Sequence, residues 1–171
     1  MILVLVGYRG TGKTVVGDLL AKRLQMPCIR MDEEIVSRAG MPITEIVAEF
    51  GWPKFRDMES EVAVDLAARD NIIVDTGGGI IERQENVDAL KKNARIFWLK
   101  ASVDTIVSRI QDCTERPALT AGKSFTEEVA EVLERRNPKY QEAAHHEIVT
   151  DGQTPEQIAD QIIALWTASQ Q

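Results

Sequence analysis

Cysteine is scarce: only Cys28 and Cys113 occur among 171 residues. They lie far apart, at neither a zinc-ligand spacing nor that of a disulfide framework. A reducing, cytoplasmic location is the simplest expectation. Long hydrophobic runs are missing as well, since no window approaches the roughly 20 residues of a membrane span. The apolar stretch Ile2–Val6 is too short for the core of a signal peptide and runs straight into glycine, so it reads as a buried strand and not as a targeting segment. Positive charge is in deficit: 20 Lys and Arg stand against 27 Asp and Glu, a formal net charge of −7. That excludes an overall basic footprint for nucleic acid or an anionic membrane surface, and a polyanion has to be held at a local positive site. Histidine is limited to His145 and His146, which have no metal-ligand partner at helical or turn spacing and read as surface or strand-entry residues. There is no internal repeat and no low-complexity tract beyond Ser169-Gln170-Gln171. A length of 171 residues with 44% hydrophobic content suits one domain spanning 1–171.

What is present is an alternation. Short apolar runs at Ile2–Val6, Ile72–Val74, Ile96–Leu99 and Ile148-Val149, with a weaker one around Cys28–Met31, are separated by segments of helical periodicity. That pattern predicts βαβ units and an α/β fold with a parallel sheet covered on both faces. Ser102 is placed to cap a helix with the stripe Val103, Ile106, Val107, Ile110. Thr154, Pro155 and Gln157 form a capping-box signature for a last helix burying Ile158, Ile162, Leu165 and Trp166. Between Asp112 and Phe125 neither period holds, and this polar stretch reads as a long mobile loop, of a length that is usually functional or disordered.

The octet GYRGTGKT, Gly7 to Thr14, matches G-x-x-x-x-G-K-[ST] and sits between a strand and an amphipathic helix carrying Val16, Leu19, Leu20 and Leu24. Glycines let backbone N–H groups turn inward around phosphate oxygens, and the helix N-terminus adds partial positive charge. Lys13 meets the β/γ-phosphates and Thr14 is a Mg²⁺ ligand. Gly7, Gly10, Thr11, Gly12, Lys13 and Thr14 are thus candidate binders of a nucleoside triphosphate. A guanine-reading switch should add an N/T-K-x-D-type stretch, and there is none. A small kinase should show an acceptor pocket and a closing loop.

Four stretches look like that pocket. In GWPKFRDMESEV the stripe Trp52, Phe55, Glu59, Val62, Leu66 puts Glu59 on an apolar face, where its carboxylate needs a partner. Arg56 is the natural one, although an ordinary i, i+3 surface pair fits the spacing equally. In VAEVLERRNPKY the stripe Val129, Val132, Leu133 continues to Arg136, aiming a guanidinium inward; the other reading is an Arg that snorkels to solvent. Pro138 is expected to end or kink that helix. IIVDTGGGI puts Gly77, Gly78 and Gly79 at the C-terminal edge of a buried strand, where ligands lie in open parallel sheets. TERPAL places Arg116 in the loop, from which closure brings it onto a transferring phosphoryl group. Cys113 reads as a spectator thiol, and Trp52 and Phe55 fit either a pocket cover or the core.

These stretches, G-x-x-G-x-G-K-T, an Asp after the second strand, F-R-x-x-E, G-G-G, R-P and R-x-P-x-Y, occur in order over nearly the whole chain, which resembles the shikimate kinases. The resemblance implies a P-loop kinase fold, a five-stranded parallel sheet ordered 2-3-1-4-5 flanked by helices, with an acceptor-binding region at about 32–60 and a mobile lid at about 112–125. It implies transfer of the γ-phosphoryl of ATP, with Mg²⁺, to the 3-hydroxyl of shikimate, by a monomer. Asp32 would hold the acceptor hydroxyl as base or orienter; Arg56 and Arg136 would grip the carboxylate, with Glu59 positioning Arg56, and Gly78 and Gly79 would line the ring. Lys13 and Arg116 would stabilise phosphoryl charge, and Arg109 would lie against adenine. Two inward arginines independently call for an acidic acceptor, which gluconate also satisfies; G-G-G and F-R-x-x-E favour shikimate.

Members of that family usually carry D-x-D after the second strand, whereas CIRMDEE has Arg30 in the first place. A cation there should weaken Mg²⁺ binding. Asp75, at the end of the third strand, is a candidate replacement as the metal-side carboxylate, with Arg30 expected close by and paired to it or to a nucleotide phosphate. A plain salt bridge between strand ends, with Thr14 and water alone on the metal, is the other reading. The departure also keeps open a non-catalytic homologue that binds nucleotide or shikimate, against which the retained Lys13, Asp32, Arg116 and Arg136 argue.

Overall fold

Ile2–Val6 forms β1, and all five of its side chains are buried, as a strand apolar on both faces requires. The computed structural model describes residues 1–110 and 124–171. Along them run α1 (Lys13–Leu24), β2 (Cys28–Arg30), α2 (Met31–Ala39), α3 (Ile43–Ala67), β3 (Ile73–Asp75), α4 (Gln84–Lys91), β4 (Ala94–Lys100), α5 (Val103–Ile110), α6 (Phe125–Ala143), β5 (His146–Val149) and α7 (Pro155–Ala168). Among the described residues the sheet is parallel throughout, in the order β2-β3-β1-β4-β5, as the resemblance implies.

Side-chain alternation divides the core between the two faces. Ile2, Val4, Val6, Val74, Ile96 and Trp98 pack against α2, α3 and α4 and the end of α6. Leu3, Leu5, Ile73, Phe97 and Leu99 pack against Val16 and Leu20 of α1 and Ile158, Ile162 and Trp166 of α7. A third cluster of Tyr8, Ile106, Ile110, Val129, Val132 and Leu133 fastens α5 and α6 beside the start of the glycine-rich turn.

The predicted caps form. Ser102 Oγ accepts from Thr105 N at 3.3 Å, and Thr154 and Gln157 close a reciprocal box with Pro155 at the first turn. The polar stretch gives way to helix at Phe125, its expected bound, where Ser124 and Glu127 make a capping box and α6 begins. One expectation needs correction: Pro138 does not end α6, which continues to Ala143. Its ring sits on an exposed position, while Arg136 and Tyr140 on the inward side stay buried and hold both turns to the core. The remainder of the 112–125 stretch, with Cys113, Arg116, Gly122 and Lys123, lies outside the described residues.

α3 is two helical segments joined at Gly51 (φ 81°, ψ 166°), with Pro53 in the first turn of the second, where a missing N–H costs nothing. That second segment carries the Phe55, Glu59, Val62, Leu66 stripe, all buried.

Candidate active site

The cradle begins where β1 ends. Gly10 and Gly12 have φ of 81° and 98°, a region open to glycine at little cost. Gly12 is the N-cap of α1, which has no side-chain cap, so its first N–H groups face the turn with the helix dipole behind them. Thr11 braces the loop from inside, donating through Oγ1 to the Tyr8 carbonyl at 2.8 Å. Buried Lys13 donates to the Gly7 and Tyr8 carbonyls at 2.7 and 3.0 Å. Arg109 of α5 lies against the outside of the same turn, donating to the Gly10 carbonyl at 3.0 Å.

A cleft of about 470 Å³ opens above these groups, lined by Arg9, Gly10, Gly12, Lys13, Thr14, Val15, Arg30, Asp32, Glu33, Asp75, Thr76, Gly78 and Ile110. It lies at the carboxyl edge of the sheet, the side on which open α/β sheets bind ligands. Asp75 ends β3, and its Oδ2 accepts from Thr14 Oγ1 at 2.7 Å. Burial raises the Asp75 carboxyl above its ordinary range, against the pull of the Lys13 charge and the Thr14 hydrogen bond, and the Asp32 carboxylate pushes it up further. Asp32 stands in the first turn of α2.

Arg30 departs from expectation. Its Cα does pair with Asp75 across β2 and β3. Its guanidinium, however, turns outward, bidentate to Asp18 at 2.8 Å and to Glu33 at 3.0 Å. The solvated pair avoids the desolvation that a guanidinium beside buried Asp75 would incur, and two carboxylates offset its repulsion toward a metal.

The acceptor side is built on glycine. A Cβ on Gly79 would lie 2.2–2.4 Å from the Arg56 guanidinium, and one on Gly78 would lie 3.4 Å from Arg136 Nη1. The two guanidinium groups therefore rest on consecutive residues of one backbone segment. Arg56 is ion-paired with Glu59, whose side chain is fully buried, which resolves the surface-pair alternative. Trp52 and Phe55 flank Arg56, their ring centroids 5.2 and 5.4 Å from its central carbon. Phe55 is core, and Trp52 is partly buried and packed against that core. Arg136 is 3% exposed, so it does not snorkel; it packs over the Tyr8 ring.

Sequence reasoning missed several participants. The Tyr140 hydroxyl donates to the Gly78 carbonyl, and burial pushes its pKa up to about 12. Glu82 meets the basic residues of α6, a meeting only the topology reveals. Arg9 lines the cleft and lies over the Phe125 ring at 5.7 Å. Among the described residues no cluster of three or more His, Cys, Asp or Glu could hold a metal. Burial, reinforced by Asp75, pushes the Cys28 thiol up to about 11, which disfavours the nucleophilic thiolate.

A parallel 2-3-1-4-5 sheet, a phosphate cradle at the head of α1 and a guanidinium-lined pocket beside it define an ATP-dependent phosphotransferase of the P-loop kinase class. Residues 9–167 match the family described as Shikimate kinase, and the chain belongs to that family. The shikimate kinase of Thermodesulfovibrio yellowstonii is 42% identical over 161 residues, covering 94% of this chain and 92% of its own. The solved shikimate kinase from Acinetobacter baumannii, in complex with shikimate, is 30% identical with a TM-score of 0.93, covering 98% of this chain and 93% of that one. The enzyme from Aquifex aeolicus superposes with a TM-score of 0.82 at 26% identity, over 99% and 98% of the two chains.

Proposed function

We propose that this chain transfers the γ-phosphoryl group of ATP to the 3-hydroxyl of shikimate, as one kinase domain that acts as a cytoplasmic monomer. The observation that carries the reading is the convergence of Arg56 and Arg136 on Gly78 and Gly79, next to the cleft that holds Lys13, Thr14 and Asp32. Arg136 is buried and Arg56 partly buried, each beside one carboxylate of the protein, and the donors their planar guanidinium groups still present suit the carboxylate of an organic acid. An acid held there turns its alcohol toward the cradle.

In this reading Gly7, Gly10, Thr11, Gly12, Lys13 and Thr14 hold the triphosphate, and Arg109 lies against adenine. Lys13 exchanges its two carbonyl partners for phosphate oxygens. Asp32 orients the shikimate hydroxyl or takes its proton as the oxygen bonds to the γ-phosphorus and the bond to the ADP oxygen breaks. Lys13 and, from the 112–125 lid, Arg116 stabilise charge on the phosphoryl group. Thr14 and Asp75 form the Mg²⁺ side of the site: a hydroxyl and a carboxylate 2.7 Å apart are the hard oxygen donors that this ion prefers. When bound, the ion neutralises phosphate charge.

ADP release measured with shikimate, with gluconate and without acceptor, each with and without Mg²⁺, tests the proposal. Release that depends on shikimate and Mg²⁺ is expected. Equal release without acceptor would mean a bare ATPase, preference for gluconate another sugar-acid kinase, and no release a binding module.

A further inference from the structure

We propose that Glu82 is a positioning residue of the acceptor site, holding the Arg136 guanidinium so that its terminal nitrogens face the organic acid; the inference rests on the acceptor reading above. Glu82 closes a short 3-10 turn, Ile80–Glu82, that begins directly after Gly79. Its carboxylate meets three cations from α6. One oxygen accepts from Arg135 Nη2 at 3.1 Å, and the other lies 3.4 Å from Arg136 Nε and 3.8 Å from Lys139 Nζ.

The three cations differ in exposure. Arg135 and Lys139 have side chains 53% and 44% exposed, against 4% for Arg136. Arg135 and Lys139 are four residues apart, on one edge of the helix, and so steer the same carboxylate from solvent. Arg136 is the buried partner. Its Nε and the Glu82 oxygen opposite are both buried and make no hydrogen bond among the described residues. At 3.4 Å a small rotation of the guanidinium completes that bond.

The other edge of the Arg136 guanidinium lies at Gly78, whose carbonyl accepts from Tyr140. Its Nε side is therefore assigned to Glu82 and its Nη side to the glycine floor of the acceptor pocket. Arg56 is ion-paired with Glu59 through Nη1 instead of Nε, so each acceptor arginine has its own carboxylate. With three cations around one carboxylate, the Glu82 group retains positive charge to spend on a second anion.

Steady-state kinetics of the full chain test this, with thermal unfolding followed in parallel. Glu82→Gln is expected to raise the KM for shikimate by roughly tenfold, the scale of one charge-assisted bond, with kcat and the KM for ATP nearly unchanged. Glu82→Asp, which keeps the charge but draws it back, should fall between Glu82→Gln and wild type, and it also reports should Glu82→Gln not fold. In an Arg136→Lys background, which lacks the Nε fork, Glu82→Gln should add less than about a twofold change. An unchanged shikimate KM in Glu82→Gln, a parallel shift in both KM values, or full additivity with Arg136→Lys would overturn the proposal while leaving the acceptor reading intact. A wild-type chain without shikimate-dependent ADP release would overturn both.

Discussion

Gly79 shows what a single missing side chain does for this site. The Arg56 guanidinium occupies the space a Cβ would take, at 2.2–2.4 Å, so Gly79→Ala has to push the far end of a flexible side chain off its seat. The expected outcome is a KM for shikimate raised by about tenfold or more, with little change in Tm or in the KM for ATP; steady-state kinetics and a melting curve check it. Asp75 is the second residue with a distinct prediction. Its native carboxyl titrates above the ordinary 3.8 because it is buried. Between that value and its native one the folded state keeps a proton that the unfolded chain has lost, so its contribution to stability falls as pH rises through the window. Asp75→Asn is therefore expected to raise Tm at neutral pH, with the gain shrinking toward about pH 4, and to raise the Mg²⁺ concentration needed for half-maximal activity. An unchanged Mg²⁺ dependence would leave Thr14 and water as the metal's holders. Both tests separate function from stability, which such sites commonly trade.

At the scale of elements, two short contacts carry predictions. His145, at the entry to β5, accepts the Ile96 N–H through Nδ1 at 3.0 Å, which a protonated ring cannot do. Burial, with the charges of Arg95 and Lys91, lowers its pKa below 6.5. Stability from this contact is present above the unfolded value and is lost as pH falls from 6.5 through the lowered native one. His145→Asn keeps an acceptor without a titrating proton, so its Tm should decline less than that of wild type between about pH 6.5 and pH 5. Thr154→Ala opens the capping box of α7 and is expected to lower stability by about 1 kcal/mol in urea unfolding, with kcat unchanged. Elements with such signals were legible in the sequence: the strands by apolar runs, α5 and α7 by caps and stripes. The capping box Ser124-x-x-Glu127 was equally readable and sets the start of α6. α2 and α4 begin without a side-chain cap, at Arg30 and Arg83, so nothing local announces them. The inward aim of Glu59 and Arg136 followed from helical period. The outward turn of Arg30 did not, because Asp18 reaches it from α1 and only the packed sheet brings α1 and β2 together.

The whole molecule sets a local cationic site into a negatively charged chain. A net charge of −7 coexists with Lys13 and Arg136 buried beside the carboxyl edge of the sheet, so selectivity for an anion comes from local geometry. Light scattering tests the proposed monomer, for which a mass near the 19.1 kDa of one chain is expected. Acceptor recognition depends on Arg56 and Arg136 together clasping the acid's carboxylate. Calorimetric titration of the ADP-loaded chain with shikimate tests it most directly. One saturable site is predicted for wild type, weakened at least about thirtyfold in Arg136→Met; no heat with wild type, or undiminished affinity in the variant, would contradict it.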